Sequence, residues 1–279
     1  MLRSAPLRVL ADRDVDDVLR LLATDPVANV FVTSRIEACG LDPWRLGAEV
    51  WGHFRGSELD AICFVGANLV PVTFDDAACA AFAERARRAG RRSSSMVGTS
   101  ACVDPLWNAL RPTWGPPRDV RHQPLMATTT PSPVPGDPEV RQLQPRDLDT
   151  VLPACIAMYT EEVGVSPVAS DGGALYRARV AELITQGRCY ARIEDGRVLF
   201  KADVGAASRW ACQIQGVWVD PELRGQGLGT AGMAAVVDAA LSSHAPVVSL
   251  YVNDYNVAAR RAYAAVGFTD VGQFTSVLF

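Results

Sequence analysis

A glycine-rich loop near the C-terminus combines the residue types that bind phosphate. It lies between an apolar run ending in Val-Asp-Pro and an alanine-rich segment, and contains Arg224, Gly225, Gly227 and Gly229. The first N–H groups of a helix lack internal acceptors, and the aligned peptide dipoles place partial positive charge there. Glycine allows close backbone approach to phosphate oxygens, Arg224 adds a full positive charge, and Thr230 adds a hydroxyl. The loop therefore predicts a phosphate site; the alternative is a plain tight turn.

The loop differs from two common phosphate motifs. A Walker loop would place Lys followed by Ser or Thr after the glycines, and no such pair is present. The dinucleotide fingerprint would need glycine at Thr230 and a position in the first strand–helix unit of the chain. The loop alone leaves the phosphate-bearing ligand open.

A second stretch, "LYVNDYNVAARRAYAAVGF", places a polar residue and a tyrosine on one predicted helix. Asn256 predicts an N-cap, Ala258 to Ala265 favour helix, and Gly267 predicts its end. Tyr263 lies seven residues after Asn256, nearly two turns on, so both project along one side of the helix. Position alone favours core packing for Tyr263.

A proline-rich segment divides the chain. Residues 128–138 read "TTTPSPVPGDP", and proline at this density resists both helix and sheet. The length of 279 residues is also that of about two domains. We therefore predict a domain over 1–127, a linker over 128–138 and a second domain over 139–279.

The two halves resemble each other in sequence. Residues 10–19, "LADRDVDDVL", align with residues 143–152, "LQPRDLDTVL", and both predict a helix start with early acidic residues. Residues 51–66 parallel residues 190–205, and both predict a β-hairpin. A duplicated domain explains this order, with chance similarity of short polar segments as the alternative. In the first half the strand predicted through Phe74 runs into a helix without a glycine loop.

Composition excludes several classes of function. The net charge of −4 and pI near 5.5 argue against nucleic acid as the main partner. No apolar run approaches the roughly 18 to 20 residues of a membrane span, and the N-terminus turns acidic too early for a signal peptide. These features predict a cytoplasmic protein without a membrane partner. The seven cysteines and three histidines lack CxxC or HExxH spacing, so we expect neither a disulfide framework nor a metal site.

Together the two stretches resemble the GNAT (GCN5-related N-acetyltransferase) superfamily. Its acetyl-CoA loop has the form Arg/Gln-x-x-Gly-x-Gly/Ala, here Arg224, Gly227 and Gly229. Its later pattern N-x-x-A-x-x-x-Y-x-x-x-G-F is met by Asn256, Ala259, Tyr263, Gly267 and Phe268. The resemblance covers residues 139–279 and reaches the first half only as a weaker copy. The chain thus resembles a tandem GNAT with a degenerate N-terminal domain that lacks the phosphate loop.

The resemblance implies an α/β fold: in each domain a mixed, mostly antiparallel, twisted sheet flanked by helices. In relatives the sheet splays between two central parallel strands, and acetyl-CoA, the acyl donor, enters the gap. It implies that the main chain of Val217, Trp218 and Val219 pairs with the pantetheine amides. It implies that the pyrophosphate binds the N–H groups of Gly225, Gln226, Gly227, Leu228, Gly229 and Thr230. It also implies that Asn256 contacts the pantetheine arm and that Tyr263 is the general acid near the thioester sulfur.

The general base stays open at this stage. Many relatives use a glutamate on a central strand, where this sequence offers Gln213, Gln215 and Tyr251. Three acidic residues are candidates beside a chain of waters, namely Glu161, Glu162 and Asp203.

The leading prediction is an acetyl-CoA-dependent N-acetyltransferase that acts on a primary amine of a small molecule or peptide. It needs no metal, and the first domain has a structural role that can include oligomer formation. The rival is a non-catalytic acyl-CoA-binding regulatory or interaction module, which the missing strand glutamate favours. A third possibility is chemistry like that of mycothiol synthase, also a tandem GNAT, although nothing in the sequence specifies its acceptor.

Overall fold

A computed structural model describes residues 7–72, 75–169 and 172–279. Up to residue 128 the regular elements are β1 (Leu7–Val9), α1 (Val15–Leu22), α2 (Val30–Cys39), α3 (Pro43–Leu46), β2 (Glu49–Arg55), β3 (Glu58–Val65), β4 (Asn68–Val72), α4 (Asp76–Ala89), β5 (Ser95–Thr99), α5 (Ser100–Trp114) and β6 (Asp119–Thr128). Thereafter they are β7 (Arg141–Gln142), α6 (Leu148–Val163), α7 (Ala174–Thr185), β8 (Cys189–Glu194), β9 (Arg197–Ala207), β10 (Cys212–Val219), α8 (Leu228–Ser243), β11 (Val248–Tyr251), α9 (Val257–Val266) and β12 (Thr269–Leu278). Phe74, through which a strand is predicted, lies outside the described residues.

The chain forms two compact units. The first contains the described residues up to Met126 together with Tyr251–Tyr255 and Asp270–Phe279; the second contains Ala127–Leu250 and Asn256–Thr269, as far as they are described. The predicted boundaries of 1–127 and 139–279 thus differ from these units mainly at the C-terminus. The C-terminal strand belongs to the first unit because β12 pairs antiparallel with β5, from Phe274 opposite Thr99 to Leu278 opposite Ser95.

In the first unit the strands follow the order β1, β2, β3, β4, β5, β12, β6. Strands β1 to β4 are antiparallel neighbours, β4 and β5 are parallel, and β5 and β12 are antiparallel. Ile62 packs in a core cluster with α1, α2 and α3, whereas its neighbour Cys63 packs in a cluster with α4 and α5. Because successive side chains of a strand point to opposite faces, the two groups of helices cover opposite faces of this sheet.

In the second unit the strands follow the order β11, β10, β9, β8, β7. Only β10 and β11 are parallel among these neighbours, and the others are antiparallel. Phe200 on β9 lies against α8, so closely that a Cβ at Gly232 would be 2.7 Å from its ring. Helices α6 and α7 pack with Ala191 and Val198 in a separate cluster. The predicted α/β class, with mostly antiparallel sheets flanked by helices, is confirmed.

Both halves of the predicted repeat form the same local structure. Asp14 accepts from the Ala11 N–H at 2.9 Å and two hydrogen bonds from Arg8 at 2.7 and 2.8 Å. Asp147 accepts from the Gln144 N–H at 2.8 Å and two bonds from Arg141 at 2.8 and 2.9 Å. The hydrogen bonds from the arginines are the largest cause that lowers the pKa of both carboxyls to about 2. The aligned residues therefore hold the first helix of each unit in the same way.

The two predicted hairpins are present as β2–β3 and β8–β9. In the second hairpin, Asp195 and Gly196 both have positive φ, 48° and 76°. This backbone suits a two-residue hairpin turn, whose twist matches that of the flanking strands. The sequence pattern of a strand, a polar turn and a second strand was sufficient to predict the hairpin.

The proline-rich segment over 128–138, predicted as a linker, lies along α8 within the second unit. The Ser132 N–H donates to Asp238 at 2.8 Å, and the Asp137 N–H donates to the Ala231 carbonyl at 3.0 Å. A Cβ at Gly136 would come within 2.9 Å of the Ala235 backbone, so only glycine permits this approach. The segment is thus packed against a helix over much of its length.

No helix in the described ranges is both long and apolar enough to cross a membrane.

Candidate active site

The two parallel strands of the second unit separate after a short stretch of pairing. Strand β10 pairs with β11 at Cys212 opposite Val248 and at Gln213 opposite Ser249, and no later pair occurs among the described residues. On its other side β10 is irregular against β9 between Gln215 and Trp218. Gly216 lies in this irregularity with φ 61°, a conformation that favours glycine. A β-bulge therefore bends β10 where the gap between the two strands opens.

Beyond Gln213, one edge of β10 has no neighbouring strand among the described residues. The Asp220 N–H donates to the Leu199 carbonyl of β9 at 2.9 Å. Backbone groups of a strand alternate in direction, so those of Trp218 also face β9, and those of Val217 and Val219 face the gap. Of the three residues predicted to pair with pantetheine, Val217 and Val219 are therefore the ones with backbone groups on the open edge.

A buried ion pair makes a hydrogen bond to the backbone of the bulge. The Lys201 Nζ donates to the Gly216 carbonyl at 3.0 Å and contacts Asp203 at 2.5 Å. Lys201 has no exposed surface and Asp203 is 6% exposed. A buried ammonium without a partner is strongly destabilising, so Lys201 requires partners such as these. Asp203, one of the three candidates for the general base, is thus engaged with Lys201 instead of lying open to a substrate.

The glycine-rich loop presents unpaired backbone donors. Helix α8 has Gly227 as its N-cap, with φ 84° and no side-chain cap. Within the described part of the chain, the amides of residues 225–229 have no hydrogen-bond acceptor, whereas the Thr230 amide donates to the Gly227 carbonyl at 3.0 Å. A Cβ on Gly225 or Gly227 would meet no atom within 4 Å, so these glycines serve the backbone conformation and keep the amides accessible. The amides of residues 225–229 are therefore available to a ligand, whereas the predicted donor at Thr230 is engaged within the turn.

Two side chains hold the beginning of this loop. Asp220 accepts from the Glu222 N–H at 3.1 Å and from Arg197 Nε at 2.6 Å. Arg197 also contacts Glu222 at 2.6 Å. The aspartate of the Val-Asp-Pro sequence thus fixes the turn that leads from β10 to the loop. Sequence reasoning missed Arg197, which carries no local motif.

Arg224 is engaged by a carboxylate from α6. Its Nη1 and Nη2 donate to Glu161 Oε1 and Oε2 at 2.8 Å each, and its Nε donates to the Val219 carbonyl at 3.1 Å. The hydrogen bonds from Arg224 lower the pKa of Glu161, and Glu161 raises that of Arg224. The candidate base Glu161 therefore lies at the phosphate loop, and its pairing with Arg224 makes it a weaker base.

Helix α9 places the predicted tyrosine in a buried position. Asn256 caps this helix by accepting from the Ala259 N–H at 3.2 Å, which confirms the predicted N-cap. Tyr263 is 8% exposed, and its ring contacts Phe268 edge-on at 6.0 Å between centroids. Burial raises the pKa of Tyr263, and the charge of Glu162 raises it further. Glu162 is exposed and lies within electrostatic reach of the tyrosine hydroxyl.

The described residues contain no group of three or more metal-ligating side chains.

Residues 173–268 match the family model described as Acetyltransferase (GNAT) family. The second half of the chain carries a GNAT domain. Residues 48–151 match a different model, described as Domain of unknown function (DUF4081). The GNAT match includes β10, the glycine-rich loop, Asn256 and Tyr263. The predicted resemblance is therefore confirmed where its motifs lie.

Solved structures share the fold over nearly the whole chain. A GNAT-family acetyltransferase from Colwellia psychrerythraea is 15% identical, with a TM-score of 0.56, over 98% of this chain and 99% of that one. A tandem GNAT protein from the clavulanic acid biosynthesis pathway is 15% identical, with a TM-score of 0.58, over 98% of both chains. A Drosophila protein is 12% identical, with a TM-score of 0.68, over 99% of both chains. At these identities the likeness shows a shared fold and nothing about function. No curated protein matches the sequence.

Within the GNAT domain the structure groups the predicted residues in two places. Glu161 and Arg224 meet beside the open amides of the loop, and Glu162 lies near Tyr263. Sequence reasoning missed Lys201, although a clear signal existed. It is the only lysine of the chain and interrupts an apolar strand. A charged residue in such a strand indicates a buried partner.

Proposed function

We propose that the GNAT domain transfers the acetyl group of acetyl-CoA to a primary amine. The observation that carries this proposal is the combination of an open strand edge on β10 with unpaired amides at the start of α8. An open strand edge takes an extended ligand by β-type hydrogen bonding, and a helix N-terminus takes phosphate. Coenzyme A contains both an amide-bearing arm and a diphosphate.

The residues present fit this ligand. The Val217 carbonyl and the Val219 N–H would bind the pantetheine amides, and the amides of residues 225–229 would bind the diphosphate. Arg224 would add its charge to the diphosphate once it parts from Glu161. The side-chain oxygen of Asn256 already accepts the hydrogen bond that caps α9. Its side-chain N–H groups would therefore donate to the pantetheine arm.

The chemistry requires one proton to leave the amine and one to reach the departing sulfur. Glu162 would accept the amine proton, because it is exposed and lies close enough to Tyr263 for its charge to raise the pKa of that hydroxyl. Tyr263 stays protonated, since burial raises its pKa, and would donate a hydrogen bond to the sulfur. The Val217 N–H would stabilise negative charge on the carbonyl oxygen. Holding both reactants together would supply much of the acceleration.

A second function has specific support. Arg224 is occupied by Glu161, and β10 and β11 carry no carboxylate. The missing strand carboxylate suits a domain that binds acyl-CoA without turnover and acts on a partner, whereas the ion pair on Arg224 opposes binding of the diphosphate in either function. Turnover separates the two functions: release of free thiol from acetyl-CoA, dependent on an added amine, supports the enzyme, and its absence across primary amines supports the binding module.

Ligand binding is tested by thermal stability with coenzyme A. A ligand at 100 times its Kd stabilises a protein by about 2.7 kcal/mol, and we expect this gain for the native chain. Gly227→Trp should abolish the gain by covering the loop amides. Gly56→Trp is the matched control, because Gly56 also has positive φ and open space but lies in the β2–β3 turn of the first unit. A full response of Gly227→Trp to coenzyme A would refute the assignment of the loop.

A further inference from the structure

We propose that the first unit binds a small organic acid, with an apolar body and one anionic group, in a groove beside α4. The groove has a volume of about 1010 Å³ and is lined by α4, by residues on and near β2 to β4, and by the end of α5. All of its lining residues belong to the first unit, so this site is separate from the GNAT domain.

The charges of the groove favour an anion. Its lining contains three arginines and two glutamates, Arg85, Arg88, Arg92, Glu49 and Glu84. Arg88 pairs with Glu84 at 2.9 Å, and Arg85 lies 4.0 Å from Glu49 and 4.7 Å above the Trp51 ring. Arg92 has no ion pair or hydrogen bond in the part of the chain that the structure describes. One guanidinium is therefore left for an anionic group.

The hydrogen-bonding groups of the groove also call for an acceptor. The indole N–H of Trp114 is buried and has no acceptor among the described residues. The indole N–H of Trp51 is already used, at 2.8 Å from Glu49. The hydroxyl proton of Ser93 is also used, at 2.7 Å from the Gly66 carbonyl. Two donors of groove-lining residues, the exposed Arg92 guanidinium and the buried Trp114 N–H, thus lack acceptors. The guanidinium is the one that a ligand can reach without a side-chain movement, and a carboxylate supplies acceptors only.

The remaining surface is apolar. Leu7, Val65 and Leu69 contribute aliphatic side chains, and Trp51 and Trp114 contribute aromatic rings. This volume exceeds the needs of an inorganic ion and falls at the upper end of the range for small-molecule pockets. An organic acid with an aromatic or aliphatic body satisfies the groove's charge, donors and apolar surface together.

The test is calorimetric titration of the full chain with 1-naphthoate, an aromatic acid, and with decanoate, an aliphatic one. We expect saturable binding of at least one acid and none of 1-naphthylmethylamine, which carries the opposite charge on the same ring system. Binding of naphthoate alone would assign an aromatic body, and binding of decanoate alone an aliphatic one. If neither acid binds, or if the amine binds as well as the acid, the proposal is wrong.

Two variants locate the bound acid. Arg92→Gln should weaken binding at least about tenfold, the usual cost of losing a charged hydrogen bond. Arg87→Gln is the matched control, because Arg87 lies on α4 outside the groove lining and is exposed. Ala89→Trp fills the groove from its rim and should also abolish binding. Equal affinities for Arg92→Gln and the native chain would overturn the site. None of these measurements involves coenzyme A, so they are independent of the proposed acetyl transfer.

Discussion

The two units begin the helix after their central strand in opposite ways. In the first unit, Asp75 caps α4 and accepts hydrogen bonds from the Ala77 and Ala78 amides at 2.5 and 3.3 Å, and it also contacts Arg55. In the second, Gly227 provides no side chain, and the first amides of α8 are unpaired. The first unit thus fills its helix terminus with its own carboxylate, whereas the second leaves the terminus open among the described residues. The same position in the two units therefore differs in whether a ligand could reach the helix amides.

If the GNAT domain is an acetyltransferase, the largest effect on the reaction rate should come from changing Tyr263 on α9. We expect Tyr263→Phe to lower kcat about a hundredfold, the lower range for loss of a positioned proton donor. Binding of coenzyme A should change little, because the ring and its contact with Phe268 are retained. Thiol-release kinetics measure this, with the exposed Tyr255→Phe as control. An unchanged kcat in Tyr263→Phe would show that the hydroxyl takes no part in the reaction and that Tyr263 only packs in the core.

The difference between the two helix N-caps is tested directly by placing an aspartate at the N-cap of α8, as in α4. Gly227→Asp places a carboxylate at the position that Asp75 occupies before α4. We expect at least about a tenfold loss of coenzyme A affinity, because the carboxylate competes with the diphosphate and repels it. Calorimetry measures the affinity, and Gly227→Asn controls for the positive φ without adding charge. Equal affinities of the two variants would show that backbone strain, and not charge, is responsible.

Where the units are alike, matched changes should have matched effects. Asp14→Asn and Asp147→Asn should each lower the free energy of unfolding by about 1 to 2 kcal/mol, allowing for solvent around the half-exposed arginines. Both carboxyls have their pKa lowered from 3.8 to about 2, so this stability is complete above about pH 4 and is lost as the pH falls toward 2. Denaturant unfolding at pH 7 and pH 2.5 measures it. Markedly unequal losses in the two variants at pH 7 would contradict the structural equivalence of the repeats.

The smallest expected effect concerns Glu161, the carboxylate that pairs with Arg224. Glu161→Gln should tighten coenzyme A binding about threefold, since an exposed ion pair contributes up to about 1 kcal/mol. The pKa of Glu161 is lowered, so the carboxylate competes with the ligand at neutral pH and releases Arg224 only in acid. Glu222→Gln is the control for general charge, because Glu222 pairs with Arg197 and not with Arg224. An equal gain in both variants would mean that the specific pair is irrelevant.

Local features were predictable from the sequence because local physical chemistry determines them. The cap at Asn256, the hairpin turn at Asp195 and the acidic helix starts of the repeat each depend on residues within one or two turns. The loop at Gly227 was predictable for the same reason.

Features that depend on distant pairing were not predictable. Glu161 and Arg224 are 63 positions apart, and neither carries a sign of the other. The placement of β12 beside β5 likewise pairs residues far apart in the sequence, such as Phe274 with Thr99, and nothing local to either strand specifies it. Lys201 is intermediate, because its burial was implied by its strand but its partner at the Gly216 bulge was not.

The position of β12 has a consequence for biosynthesis. The ribosome makes this strand only after every helix and strand of the GNAT domain, yet β12 supplies Val277 to the core of the first unit. The N-terminal unit must therefore wait, with β5 exposed at an unfinished edge, while the later one is translated. A chain ending at Met126 would keep that edge permanently, and we expect it to aggregate unless a peptide corresponding to β12 is supplied.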